Sequence, residues 1–304
     1  MLTNGLSTMN FPQRFIHATA RYSDIAAHVP APYFRKTFHL DDEADTAQIL
    51  ICGLGFYRLF INGHDVTKGF LAPYISNPDD ILYYDSYDIA SLLRKGDNLI
   101  AVCLGNGFQN NPGGHIWAFD RAVFRASPQV AFAAEIRTKS GQTCQITSDE
   151  TVRAADSPIL FDDYRYGEYY DARREIPGWN TDPDFDDSSW SHATPAPNPR
   201  GECRICIADP IVVTCERQPV SVAELPDGFL YDFGINGAGV CRLRVEGSRG
   251  QEITLYHGEH LIDGQLDRAN ISFPQKTAEE KEYVQKSVYI CSGEGIETHT
   301  PDFV

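Results

Sequence analysis

At 304 residues, with 42% hydrophobic and 22% charged side chains, the chain has the make-up of a soluble globular protein long enough for two domains. A formal net charge of −16 argues against non-specific nucleic-acid binding, which needs a basic face, and against docking on anionic lipid. No charged leader with an apolar core opens the chain, and no apolar run reaches the ~18 residues needed to span a bilayer. The expectation is a cytoplasmic protein with neither nucleic acid nor membrane as partner; the single sequon, Asn270-Ile271-Ser272, is weak evidence for export.

Residues 1–30 read as a leader with a first strand between Phe11 and Ala18, broken by Pro30 and Pro32. From Tyr33 the pattern is β. YFRKTFHL (33–40) alternates apolar and polar positions, as a half-buried strand does, and TAQILICGLG (46–55) is apolar enough for a core strand. FYRLFINGHDV (56–66) reads as strand, turn, strand, because Asn62-Gly63 accepts the positive φ values of a type I′ hairpin. A loop from residue 70 leads to ILYYDSYDI (81–89). A short helical turn follows, capped by Asp88 and stopped by Gly96. LIAVCLGNGF (99–108), QVAFAAEIRT (129–138) and TCQITS (143–148) are further strands, with a Gly- and Asn-rich loop over 106–114.

Pro195–Pro199 (PAPNP) reads as a linker. Beyond it, PIVVTCERQPV (210–220), GFLYDFG (228–234), GVCRLRVEG (239–247), QEITLYHGEHL (251–261) and KEYVQKSVYICSG (281–293) resume the β pattern, with a polar loop over 263–280. Helical periodicity is nearly absent. The predicted fold is therefore all-β, with two antiparallel, jelly-roll-like β-sandwiches over 31–197 and 203–304. ETHTPDFV (297–304) stops where an apolar strand begins, which reads as the N-terminal part of a longer protein.

The eight cysteines are scattered, mostly in apolar runs, and read as reduced thiols acting as small hydrophobes. Cys203 and Cys206 form a lone CxxC without the second pair of a zinc site. His257 and His260 lack HExxH spacing, and NGAG (236–239) follows no βαβ pattern. There is no GxSxG elbow and no Walker motif.

The densest chemistry lies in FDDYRYGEYYDARREIPGWNTDPDFDDSSW, Phe161 to Trp190. An inverting glycosidase needs two carboxyl groups roughly 6.5–9.5 Å apart. Asp162, Asp163, Glu168, Asp171 and Glu175 supply the residue type without fixing any separation. Two non-catalytic readings stand beside that one. In the first, Trp179 and Trp190 are core anchors, Asp186 and Asp187 accept N–H groups in the turn before Trp190, and Glu168, Asp171, Arg173 and Arg174 pair to hold the segment against a sheet. In the second, Tyr164 stacks on a sugar whose hydroxyls meet Asp162, Asp163 and Glu168, helped by Asn106, Asn110 and Asn111. Ca²⁺ would then sit on Asp162 and Asp163, since it takes oxygen ligands.

GFYRLFINGHDV (55–66), YYDSYDIASLLRKGDNLIAVCLGNGF (83–108), GEYYDARREIPGW (167–179) and FDDSSW (185–190) resemble the N-terminal β-sandwich of bacterial α-L-rhamnosidases, glycoside hydrolase family 78. YDFGINGAGVCRLRVEGSRGQEITLYHGEHLIDGQLD (231–267) resembles the second β-sandwich of the same enzymes, departing at Val240, where the family often has tryptophan. The resemblance covers residues 30–304 and implies a carbohydrate-related role. Family members remove α-L-rhamnose with an acidic pair on a downstream (α/α)6 barrel, which is absent here, and some of their N-terminal modules bind rhamnose through Ca²⁺. The implied protein is a non-catalytic part of such an enzyme. It would have no catalytic residue of its own, a rhamnose-containing glycoside as its partner molecule and a face that docks on the barrel. A free-standing carbohydrate-binding module is the alternative.

Overall fold

The computed structural model describes residues 11, 14–24, 27–111, 121–268, 271, 273–274, 282–283 and 285–304. The sequon positions Asn270 and Ser272, and the 106–114 loop from residue 112 onward, lie outside them. The chain is all-β. Its strands are β1 (Ile16–His17), β2 (Pro32–Leu40), β3 (Ala44–Leu54), β4 (Tyr57–Ile61), β5 (His64–Asp65), β6 (Ile81–Asp88), β7 (Gly96–Leu104), β8 (Gln129–Thr138), β9 (Thr143–Thr147), β10 (Arg153–Asp156), β11 (Ile159–Asp163), β12 (Gly167–Asp171), β13 (Ser191–His192) and β14 (Thr194–Pro195). They continue with β15 (Glu202–Ile205), β16 (Ser221–Leu225), β17 (Gly228–Asp232), β18 (Leu243–Glu246), β19 (Glu252–Tyr256), β20 (Leu261–Ile262), β21 (Gln265–Leu266), β22 (Phe273–Pro274), β23 (Glu282–Tyr283), β24 (Lys286–Ile290) and β25 (Ile296–His299). Helical structure among the described residues is confined to single 3₁₀ turns, among them Ala90–Leu92 after Asp88 and Ala172–Arg174.

Two sheets pack face to face. One runs β14-β1-β8-β3-β6-β15 with β9 alongside β8; the other runs β13-β10-β2-β7-β4-β5. Alternate residues point inward, as the period-2 pleat requires. Ile49 and Ile51 on β3 and Phe132 and Ile136 on β8 meet Phe34, Leu59, Ile100 and Val102 from the facing sheet. Each such side chain gains about 1.5–3 kcal/mol over its exposed state. The second sheet is covered on its outer face as well. Tyr33, Leu99, Ala101 and Cys103 pack there against Ile159, Trp179, Trp190 and Phe303. This double burial explains the unbroken apolar run of β7, which a strand with one wet face would not carry.

Asn62 and Gly63 take φ of 48° and 85° between paired Ile61 and His64, the two-residue hairpin expected there. Four features depart from the sequence reading. The sheets are mixed rather than purely antiparallel, since β15 runs parallel to β6 and β12 runs parallel to β24. Residues 210–220 form no strand; Ile211 makes an isolated bridge to Phe70, and the Val220 N–H donates to the Asp232 carbonyl of β17. A hairpin, β20–β21, stands where a loop was expected to begin. Pro195 lies in β14, paired with Ile16.

The β11–β12 hairpin leaves the first sandwich and joins β24 and β19 in a four-stranded sheet ordered β11-β12-β24-β19. β15, beyond the proline run, pairs back onto β6. The chain therefore crosses between its two halves in both directions. The C-terminal half is thin: β16–β17, β18–β25 and β20–β21 are two-stranded ladders, and Ile207, Val213, Val220, Val222 and Phe229 are exposed.

Candidate functional site

The β11–β12 hairpin carries the carboxylates of the dense segment, and the structure turns them inward. Asp162 is 1% exposed, Asp163 0% and Glu168 1%. Asp162 accepts from the backbone N–H of Asn106 at 2.6 Å and from its side-chain amide at 2.7 Å. Asn110 donates in turn to Asn106 at 2.7 Å. Asp163 accepts from Asn111 at 2.8 Å and from the N–H groups of Arg165 and Tyr166. Of the three asparagines expected beside the carboxylates, Asn106 and Asn111 are their buried hydrogen-bond partners, and Asn110 reaches them only through Asn106. Tyr164 stacks on Phe108, ring centres 4.1 Å apart, with its hydroxyl buried.

Glu168 faces the C-terminal residues. One oxygen accepts from His299 at 3.1 Å; the other accepts from the N–H groups of Asp302 at 2.9 Å and Phe303 at 3.3 Å. Asp302 forms an ion pair with Arg58, which also holds Asp65. Phe303 packs on Gly105, where an added Cβ would lie 2.6 Å from its ring and 2.9 Å from Asp162. Glycine at 105 is what lets the two segments approach.

The segment after β12 is held by a residue that sequence reasoning missed. Arg35 on β2 is 1% exposed, ion-paired to Asp187 at 3.0 Å. It also donates to the carbonyls of Trp179 and Asp182 and lies over the Phe185 ring. Beside it, Tyr33 stacks on Trp179 with ring centres 3.6 Å apart. The alternation of YFRKTFHL places Arg35 opposite the sandwich core, a position that reads as wet until the 172–190 segment covers it. Asp187 therefore spends its carboxylate on Arg35; the N–H of Trp190 goes to the Asp187 carbonyl instead. Of the four residues expected to pair, Arg173 forks onto Asp171 with two bonds of 2.8 Å, whereas Glu168 meets His299 instead.

Electrostatically the hairpin is an acidic interior. Burial raises Asp162 to about 7, against the opposing pull of the Asn106 bonds, and raises Asp163 to about 6. Asp302 rises to about 6 through burial and through Glu168, with Arg58 pulling the other way. A Ca²⁺ site needs several oxygens free to turn toward the ion. Here the oxygens of Asp162 and Asp163 are engaged by N–H donors, and among the described residues no group of three or more His, Cys, Asp or Glu side chains is arranged to hold a metal. The donor set as it stands does not fit Ca²⁺. The cysteines are all free thiols: Cys52, Cys103 and Cys291 are buried, whereas Cys215 is exposed.

Solvent meets aromatic surface elsewhere. A cleft is lined by Gly55, Pro73, Tyr74, Tyr83, Phe108 and Gln109. Tyr74 is 60% exposed and edge-on to Tyr83, ring centres 6.3 Å apart. The cis Ala72-Pro73 peptide sits at its edge.

Residues 42–215 match the family model described as alpha-L-rhamnosidase N-terminal domain, and residues 224–304 match the bacterial alpha-L-rhamnosidase concanavalin-like domain. The chain is 35% identical over 277 residues to an alpha-L-rhamnosidase of Formosa agariphila, covering 90% of this chain and 29% of that protein. It is 32% identical over 277 residues to one of Streptomyces avermitilis, covering 90% and 26%. The chain thus spans less than a third of the length of either relative. Among solved structures it superposes on the alpha-L-rhamnosidase of Dictyoglumus thermophilum with a TM-score of 0.81 at 30% identity, covering 95% of this chain and 32% of that one. The Streptomyces avermitilis enzyme, solved with L-rhamnose, gives a TM-score of 0.81 at 30% identity, with 90% and 26% covered.

Proposed function

The chain belongs to the α-L-rhamnosidase family through these two domains, and from that premise we propose that it is a non-catalytic, supporting portion of an enzyme that removes terminal α-L-rhamnose from glycosides. The observation that carries this reading is the state of the carboxylates. Glycoside hydrolysis needs two of them facing a sugar across open space, one keeping a proton. In the segment where they are densest, Asp162, Asp163 and Glu168 instead face inward and are hydrogen-bonded to the protein itself. Their work is mechanical: they join the β11–β12 hairpin to the asparagine loop on one side and to the C-terminal residues on the other. The catalytic acids would belong to an (α/α)6 barrel elsewhere in the parent enzyme. The exposed apolar side chains around Ile207, Val213, Val220 and Phe229 suit a face that such a neighbour covers.

The test is hydrolysis of an aryl α-L-rhamnoside by the purified 304-residue chain. No turnover above a mock preparation is expected; turnover that co-purifies with the chain would overturn the proposal.

The aromatic cleft favours a second reading, a carbohydrate-binding module. Tyrosine faces stack on the apolar side of a pyranose while neighbouring amides meet its hydroxyls. Tyr74 and Tyr83 supply the aromatic part of that mixture at the surface, where the inward-facing Asp162, Asp163 and Glu168 do not reach. Calorimetry with L-rhamnose, with and without Ca²⁺, separates the two readings. Millimolar binding that Tyr74→Ala abolishes and Ca²⁺ leaves unchanged supports the module; no heat at these concentrations leaves the supporting role alone.

A further inference from the structure

We propose that the C-terminal segment His299–Phe303 and the β11–β12 hairpin form a proton-dependent clasp between the two halves of the chain, closed in mild acid and loosened toward neutral pH.

The clasp is short and made of few bonds. Glu168 holds three groups of the segment: the His299 imidazole and the N–H groups of Asp302 and Phe303. Arg58 on β4 holds Asp302, and Gly105 receives the Phe303 ring. The segment follows β25, whose described ladder pairs it with β18 of the second half. Releasing it frees the far end of that ladder from the first sandwich.

Its charges do not balance. Asp302 is faced by Arg58 from β4, Asp65 from β5, Glu168 from β12 and His299 at the end of β25. Glu168 is faced in addition by Asp162 on β11. Tyr33 on β2, Cys103 on β7 and Tyr170 on β12 complete the surroundings and stay neutral, burial holding each above its ordinary range. Arg58 is the one permanent cation among the groups named here, and it already serves Asp65. A site so short of positive charge favours taking up a proton. Glu168 is fully buried, whereas Asp302 keeps 32% of its side-chain surface open, so solvent moderates its shift and gives the proton a path.

The sign follows from linkage. A carboxyl raised to about 6 in the closed state and ordinary when released is bound more tightly to its proton when closed. The closed state is therefore favoured at the acid end, and this advantage is lost as pH rises from about 4 to about 6.

Hydrogen exchange of the 304-residue chain between pH 4 and 8, corrected for intrinsic rates, tests this on the amides of Asp302 and Phe303. Their protection should fall with rising pH by up to about tenfold per pH unit and level off by about pH 7, while β3 and β8, which exchange only by global opening, stay better protected than those two amides at every pH. Asp302→Asn and Glu168→Gln, which each remove one negative charge, should flatten the fall. Flat protection of Asp302 and Phe303 in the unmodified chain would overturn the proposal without any variant. An undiminished fall in a variant whose β3 and β8 stay protected would overturn it too.

Discussion

Arg35 shows how one side chain can organise a segment that has no regular structure of its own. Its guanidinium meets the Asp187 carboxylate and two backbone carbonyls, of Trp179 and Asp182, and so satisfies a stretch that lacks a ladder. Breaking such a pair leaves an uncompensated charge and stranded acceptors. Arg35→Met, which keeps most of the bulk, should cost roughly 3 kcal/mol, the low end for a buried pair, because Asp187 stays partly solvated. Urea unfolding measures it. Arg35→Lys should recover only part of the loss, since an ammonium cannot reproduce the planar fork. The pair is not legible in the sequence: Arg35 occupies the polar half of an alternating strand, and Asp187 stands out there only as a turn residue before Trp190. The bidentate Arg173–Asp171 contact was legible because its partners lie two residues apart.

At the scale of elements, the β11–β12 hairpin is the joint of the molecule. Gly167, at its turn, has φ of 115°, and a Cβ there would lie 1.7 Å from the carbonyl oxygen of Lys286. That contact is where β12 runs alongside β24. Gly167→Ala should therefore push β24 away and weaken the β12–β24–β19 sheet, while leaving β3 and β8 intact. The expected result is loss of amide protection over 286–290 with protection over 129–138 unchanged; equal loss in both would mean the hairpin is part of the first sandwich's own stability. Most of the strands could be read from period-2 alternation and turn residues, and Asn62-Gly63 from its tolerance of positive φ. The parallel ladders could not. A parallel partner is chosen by packing over a long span, and nothing local in GEYYD or ECRI announces which distant strand it will meet.

Across the whole molecule, the buried carboxylates set the direction of the pH response. Asp162 and Asp163, raised to about 7 and about 6, stabilise the fold while protonated, and that contribution is lost as pH rises from about 4 to about 7. Asp149 and Asp171, held low by hydrogen bonds and by neighbouring cations, and Glu297, held low by hydrogen bonds, act oppositely, and their contribution is lost below about 4. The urea midpoint of the chain should accordingly peak between about pH 4 and 6 and decline toward pH 8; a midpoint that rises steadily across that range would contradict the assignment.

By itself the amino-acid sequence determined the all-β class, the order of most strands and the family, because alternation, turn chemistry and motif spacing are local properties that survive without coordinates. Tertiary structure alone decided which way the dense acidic segment faces. The same carboxylates would serve a sugar if they faced water and serve as clasps if they face the protein. That choice depends on which strand lies behind them: β24, about 120 residues away, and the C-terminal residues folded against Gly105. Burial is a property of packing over such distances, and no spacing of aspartates along the chain encodes it.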